Sequence, residues 1–152
     1  MKKLVFTCLV IAVIFAACKK EEETPTNNNN SPTTYAFSCK IDGVDFTDNN
    51  PVATITQDDV LTIDAENGAN SIRFMIYFFS TRAEGEEIPL NILTDKVYVN
   101  LGTDYYSTTI GGTFIFSEIG DSISGTFDDV ICNNSQNAVV TVTDGAFVDV
   151  AY

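Results

Sequence analysis

Tyr35-Ala36-Phe37-Ser38-Cys39-Lys40-Ile41-Asp42-Gly43-Val44-Asp45-Phe46-Thr47 is the stretch on which the fold turns. Phe37, Cys39 and Ile41 alternate with Ser38 and Lys40, the period of two that a half-buried strand shows. Asp42-Gly43 then supplies a dipeptide favoured in a two-residue type I′ turn, where both central residues need positive φ. Folding back on that turn sets Ile41 against Val44 and Cys39 against Phe46 on one side. Lys40 then meets Asp45 on the other. Each pair agrees in polarity, so turn and side chains specify the same register. The segment reads as a β-hairpin.

The same signals recur outward from it. Strands are expected at Val52 to Gln57, Leu61 to Ala65, Ile72 to Phe79, Ile88 to Ile92 and Lys96 to Leu101. Others follow at Tyr105 to Ile110, Thr113 to Ile119, Ser122 to Cys132 and Val139 to Val150, the last with a bend or turn at Asp144-Gly145. No long stretch carries helical periodicity. Short strands with turn signals between them give an all-β expectation: a single antiparallel β-sandwich, with a small up-and-down barrel as the alternative. Across Gly120-Asp121, Phe114 should face Phe127, and Phe116 should cover Gly125. The apolar phase slips at Asp128-Asp129, as a β-bulge makes it slip. Arg73 to Phe79 is apolar on both faces, so the face with Met75, Tyr77 and Phe79 needs a cover.

The N-terminus carries a different message. Lys2 and Lys3 precede an uncharged apolar run from Leu4 to Ala17, too short for a transmembrane helix, which needs about 20 apolar residues. It fits a secretory signal peptide spanning residues 1–17. Ala16-Ala17-Cys18 resembles the lipobox of bacterial lipoproteins, which implies that Cys18 is lipidated and becomes the first mature residue. Stable membrane anchoring takes two lipid chains or more, and a lipidated Cys18 would carry them. Residues 18–34 then read as a disordered tether: Lys19-Lys20-Glu21-Glu22-Glu23, followed by the low-complexity run Thr24 to Thr34. Lysine followed by acids directly after the lipidated cysteine resembles the export signal of surface-exposed Bacteroidetes lipoproteins. That implies an outer-membrane, lipid-anchored protein facing the cell exterior.

Residues 35–152 make one ordinary domain of 118 residues. The chain holds 8 basic and 21 acidic residues. Residues 35–152 keep only Lys40, Arg73, Arg82 and Lys96 against 18 acids, a net charge near −14. Such a domain cannot neutralise a phosphate backbone, so no nucleic-acid partner is expected. The chain has no histidine, which removes Ser-His-Asp triads, Cys-His dyads and His-ligated metal centres. No GxSxG, P-loop or GxGxxG motif is present. Glu66, Glu84, Glu86, Glu87 and Glu118 could pair for glycoside hydrolysis, but they look like turn or rim residues without Trp or Arg to position a sugar. Asp121, Asp128, Asp129 and Asp144 cluster near turns without the spacing of a calcium loop. The expectation is no enzyme, no metal and no cofactor.

Phe37-Ser38-Cys39-Lys40-Ile41-Asp42-Gly43, Ile123-Ser124-Gly125-Thr126-Phe127 and Thr143-Asp144-Gly145-Ala146-Phe147 together resemble a group of small Bacteroidetes outer-membrane lipoproteins. That resemblance covers most of residues 35–152 and implies fold and location, because the group has no established activity.

The function expected is therefore a binding or adhesion module for a protein or glycan, with a structural or envelope-assembly subunit lacking any ligand as the alternative. Tyr98, Tyr105 and Tyr106 are the candidate binding patch, since tyrosine joins a large contact area to a polar tip. Cys39 and Cys132 remain in the mature chain. A compartment outside the cytoplasm permits a disulfide between them, while the place of Cys39 on an apolar face equally suits a free thiol. Asp121-Ser122-Ile123 resembles the acceptor motif for O-glycosylation of exported Bacteroidetes proteins, which makes Ser122 a candidate modification site.

Overall fold

Asp42 and Gly43 adopt φ of 47° and 80° in the computed structural model, which describes residues 35–152. The strands they join, β1 (Phe37–Ile41) and β2 (Val44–Asp48), pair in the expected register, with Cys39 opposite Phe46 and Ile41 opposite Val44. Cys39, Ile41 and Phe46 are buried, whereas Val44 is exposed. The expected signal peptide, Cys18 and the expected tether lie outside the described residues.

Nine further strands follow: β3 (Val52–Ile55), β4 (Val60–Asn67), β5 (Asn70–Tyr77), β6 (Glu87–Pro89), β7 (Lys96–Leu101), β8 (Asp104–Tyr106), β9 (Thr108–Ile119), β10 (Ser122–Asn133) and β11 (Val139–Ala151). They form two antiparallel sheets, ordered β2-β1-β11-β10-β9-β6 and β3-β4-β5-β7-β8. Each sheet keeps two free edges, so the architecture is the sandwich and not the barrel. The sheets are joined by a phenylalanine core. Phe74 of the five-stranded sheet lies 4.5 Å from the Phe127 ring and 5.4 Å from the Phe114 ring of the other sheet. Phe37, Phe116 and Phe147 complete the cluster, all fully buried. Burying each ring contributes about 1.5–3 kcal/mol.

Tyr105 to Ile110 is not one strand. The chain leaves the five-stranded sheet after Tyr106 and enters the six-stranded sheet at Thr108, and β9 then runs unbroken through Gly111-Gly112. This departure leaves Val97 on β7, which pairs with Phe74 of β5 on one side, without a strand partner on the other. Thr109 fills the place: its buried hydroxyl accepts from Val97 N (2.8 Å) and donates to Val97 O (2.9 Å). A threonine side chain thus satisfies two buried backbone groups that a strand would otherwise serve.

The expected bulge at Asp128-Asp129 is present, and β11 carries two more. Asp129, Asp144 and Asp149 take φ of 51°, 53° and 53°, each where strand register shifts. Asp144-Gly145 is therefore a bulge within a continuous strand, not a turn. Aspartate tolerates left-handed backbone better than most residues, which suits it to these positions.

The run from Arg73 to Phe79 resolves differently from its strand reading. Phe78 takes the left-handed conformation (φ 55°, ψ 42°), so the strand ends at Tyr77 and side-chain parity reverses. Phe79 consequently turns into the core, 5.5 Å from Phe116 and 5.4 Å from Tyr152 by ring centroid. Phe78 points outward instead. Only Met75 and Tyr77 of the expected second apolar face remain there, half-buried, with the Lys96 ammonium 5.7 Å from the Tyr77 ring centre. Phe114 does face Phe127, and Phe116 does pair with Gly125. The ring that fills the space of the missing Gly125 side chain is nevertheless Phe147, from the strand on the other side.

Candidate functional site

Strand register assembles a polar and aromatic surface on the outer face of the five-stranded sheet. Asp64, Arg73 and Tyr98 stand in one cross-strand row on β4, β5 and β7. Glu66, Ser71, Asn100 and Tyr105 stand in the next row, which reaches β8. With strands about 4.8 Å apart, the longer row spans roughly 14 Å. These seven residues line a shallow open groove of about 290 Å³.

The two ends of the groove differ in chemistry. At one end the Tyr98 and Tyr105 rings lie parallel, 3° between planes and 6.1 Å between centroids. The other end is ionic. Arg73 donates from Nε to Asp64 Oδ1 and from Nη2 to Asp64 Oδ2 (3.1 Å), a two-point fork that holds both side chains in place. The hydrogen bond and the charge of Asp64 together raise the Arg73 pKa further. Burial, then Tyr98, raises that of the Tyr105 phenol, with Arg73 acting the other way. Tyr105 therefore stays a neutral hydroxyl at physiological pH. Tyr106 does not join this face. It sits opposite Val99, whose side chain is core, so strand alternation points it inward, where it is 9% exposed against 56% for Tyr105.

Residues 33–151 match the family described as Domain of unknown function (DUF6252). The chain belongs to this family. No curated protein and no solved structure matches the chain.

In this DUF6252 domain the remaining candidates fall into structural places. Cys39 and Cys132 are both buried and free, which corrects the disulfide that the sequence left open. β11 lies between their strands, so two strand spacings, about 9.5 Å, separate them sideways. They are offset along the strands as well, since Cys39 faces the bulge at Asp144-Gly145 while Cys132 pairs with Val140. Direct bonding needs Cα atoms within roughly 7 Å. Burial pushes the Cys39 thiol up to about 12 and the Cys132 thiol up to about 11, from an ordinary 9.0. Two results should follow. In the folded domain neither thiol should react with iodoacetamide near pH 8, while both should react in denaturant. The unfolded chain releases these protons near pH 9 and the folded chain holds them. Their contribution to stability is therefore whole below pH 9 and declines as pH rises toward 11 to 12, measurable as a falling urea midpoint.

Of the acids weighed for calcium, Asp128 and Asp144 are engaged locally, while the Asp121 and Asp129 side chains have no partner among the described residues. Asp128 Oδ1 accepts from the backbone N–H of Asp129 (2.9 Å) and Asp144 (3.1 Å), fixing the bulges, and Asp144 pairs with Lys40 (2.7 Å). Of the five glutamates, Glu84 accepts from Ile119 N, Glu86 pairs with Arg82, Glu87 and Glu118 are exposed on β6 and β9, and Glu66 lines the groove. Among the described residues no cluster of acidic or cysteine side chains is arranged to hold a metal ion. Ser122 opens β10, half-exposed, with its carbonyl accepting from Gly120 N (3.0 Å).

Of the three tyrosines singled out from the sequence, the structure brings Tyr98 and Tyr105 together and not Tyr106, and Asp64, Ser71, Arg73 and Asn100 beside them were not singled out. The signal was present in the turn Asn67-Gly68-Ala69-Asn70. Closing that hairpin tightly sets Asp64 opposite Arg73, as Asp42-Gly43 sets Lys40 opposite Asp45.

Proposed function

We propose that this protein is a lipid-anchored binding module of the outer membrane that docks its ligand outside the cell, on the outer face of the five-stranded sheet. One observation carries the reading: two parallel tyrosine rings stand beside a fixed Arg73–Asp64 fork, with the Ser71 hydroxyl, Asn100 amide and Glu66 carboxylate around them. Those three polar groups and both tyrosine hydroxyls form no hydrogen bond with any other described residue. An envelope subunit without a ligand would have no use for such a convergence. Aromatic bodies joined to unspent donors and acceptors are what recognition of a polar molecule requires.

The anchor and the face are tested separately. Cys18→Ser should abolish metabolic incorporation of labelled fatty acid, and labelling that persists would remove the anchor. For the face, Tyr98→Ala/Tyr105→Ala should abolish adhesion of producing cells to arrays of glycans and extracellular proteins, at unchanged surface abundance. Adhesion that survives the double substitution would place the ligand elsewhere on the domain.

A further inference from the structure

We infer that the ligand of the Tyr98–Tyr105 groove is an uncharged saccharide chain, laid along the row from Tyr105 across Asn100 and Ser71 toward Glu66. This deepens the reading of that face as the docking surface and rests on it.

Three features of the groove select the chemistry. The first is its length and openness. A row of roughly 14 Å on a shallow surface suits an extended chain lying flat rather than a compact molecule in a closed pocket. The second is the division of labour along the row. Tyrosine faces offer flat apolar area for the C–H face of a sugar ring, and their hydroxyls remain as polar tips. Asn100 offers both a donor and an acceptor, Ser71 a rotatable hydroxyl, and Glu66 a pure acceptor. Asp64 uses Nε and Nη2 of Arg73, so Nη1 keeps both of its hydrogens for a ligand oxygen. A saccharide presents vicinal hydroxyls that donate and accept, and this mixed set answers them. An apolar peptide would leave these groups desolvated without partners, which opposes binding.

The third feature is charge. Asp64 and Glu66 outnumber Arg73 in the groove, and the surrounding domain carries 18 acids against 4 bases. A carboxylated or sulfated glycan would approach against that field. Arg73 cannot offset it, because its charge is already committed to Asp64 at two points. A cationic ligand would be drawn by Glu66 and by the tyrosine faces, but it would bring its charge beside the Arg73 guanidinium and leave the donors of Ser71, Asn100 and Arg73 Nη1 without acceptors. An uncharged polyol is the class that all three features accept.

The experiment uses residues 19–152, without the lipid-bearing Cys18, on an array carrying neutral oligosaccharides, sialylated and sulfated oligosaccharides, and extracellular proteins, followed by calorimetric titration of the best neutral hit. Neutral oligosaccharides should bind, with an affinity that changes little over a roughly tenfold range of salt. Tyr98→Ala and Tyr105→Ala should each weaken binding about tenfold, as loss of one aromatic contact does. Arg73→Lys, which keeps the charge and loses the fork, should also weaken it, with all three variants unfolding at the native midpoint. Glu66→Gln should raise the weak signal from anionic glycans. Preference for anionic glycans, with a strong salt dependence, would overturn the inference while leaving the face as the docking surface. So would binding of proteins alone that is lost in the tyrosine variants. Binding indifferent to both tyrosines, or none on any arm, would remove the inference and the docking face together.

Discussion

Gly145→Ala should destabilise the domain by about 3 kcal/mol, near the upper end for inserting a methyl group into a packed core. The space a β-carbon would need at position 145 is held by the Phe127 ring, and Gly145 and Phe127 face each other across β11 and β10. Phe127 cannot retreat freely. It is buried, 5.3 Å by ring centroid from Phe37 and 4.5 Å from Phe74, so displacing it disturbs the contact between the two sheets. In a domain of this size the loss corresponds to a fall of roughly 10 °C in Tm. Thermal unfolding followed by circular dichroism measures it. The double variant Gly145→Ala/Phe127→Leu should unfold well above the sum of the two single losses, because the smaller side chain gives the methyl group room. Equal stability of Gly145→Ala and the native domain would mean that the ring does not occupy that space.

Asp95→Ala should cost about 3 kcal/mol or more for a different reason. The Asp95 side chain is 3% exposed, yet it accepts from Tyr77 N (2.7 Å) and from Arg82 Nη2 (2.8 Å). Arg82 in turn donates to Tyr77 O (3.2 Å) and Glu86 Oε1 (3.2 Å), so one carboxylate ties the end of β5 to two loops. Removing it leaves a largely buried guanidinium and a backbone N–H short of a partner, and breaking a buried pair from one side is the expensive way to lose it. Arg82→Met/Asp95→Leu should recover part of the loss, since neither charge then remains unpaired. Urea unfolding of the three variants separates the cases. Amide exchange should be fastest at Tyr77 and in Phe79–Thr81 in the Asp95→Ala protein. A cost below about 1 kcal/mol would mean the network behaves like an exposed ion pair.

The same residues show where sequence reasoning reaches and where it stops. Asp42-Gly43 and the alternating residues beside it specified the first hairpin to the residue, since turn chemistry and side-chain parity are local and agree. Lys96–Leu101 was legible for the same reason. Tyr105 to Ile110 was not. Nothing local says that the chain changes sheets at Ser107, because that choice depends on Thr109 meeting Val97 on a different strand. Tyr106 was grouped with Tyr98 and Tyr105 on residue type, and the register with Val99 placed it in the core. Phe79 likewise followed strand parity until the left-handed Phe78 reversed it.

By itself, the sequence determined the all-β class, the hairpin registers written in two-residue turns, the acidic surface and the tyrosines that mark the candidate face. Each of these is a property of neighbours along the chain, where a period of two and the demand for positive φ act within a few residues. Only the tertiary structure decided which two sheets form, that Phe147 and Phe127 fill the spaces at Gly125 and Gly145, that the cysteines stay apart, and that Arg73 and Asp64 stand beside Tyr98. Those outcomes depend on pairing strands far apart in sequence. The free energy that selects one pairing over another comes from burying a shared aromatic core, which no local window of the chain contains.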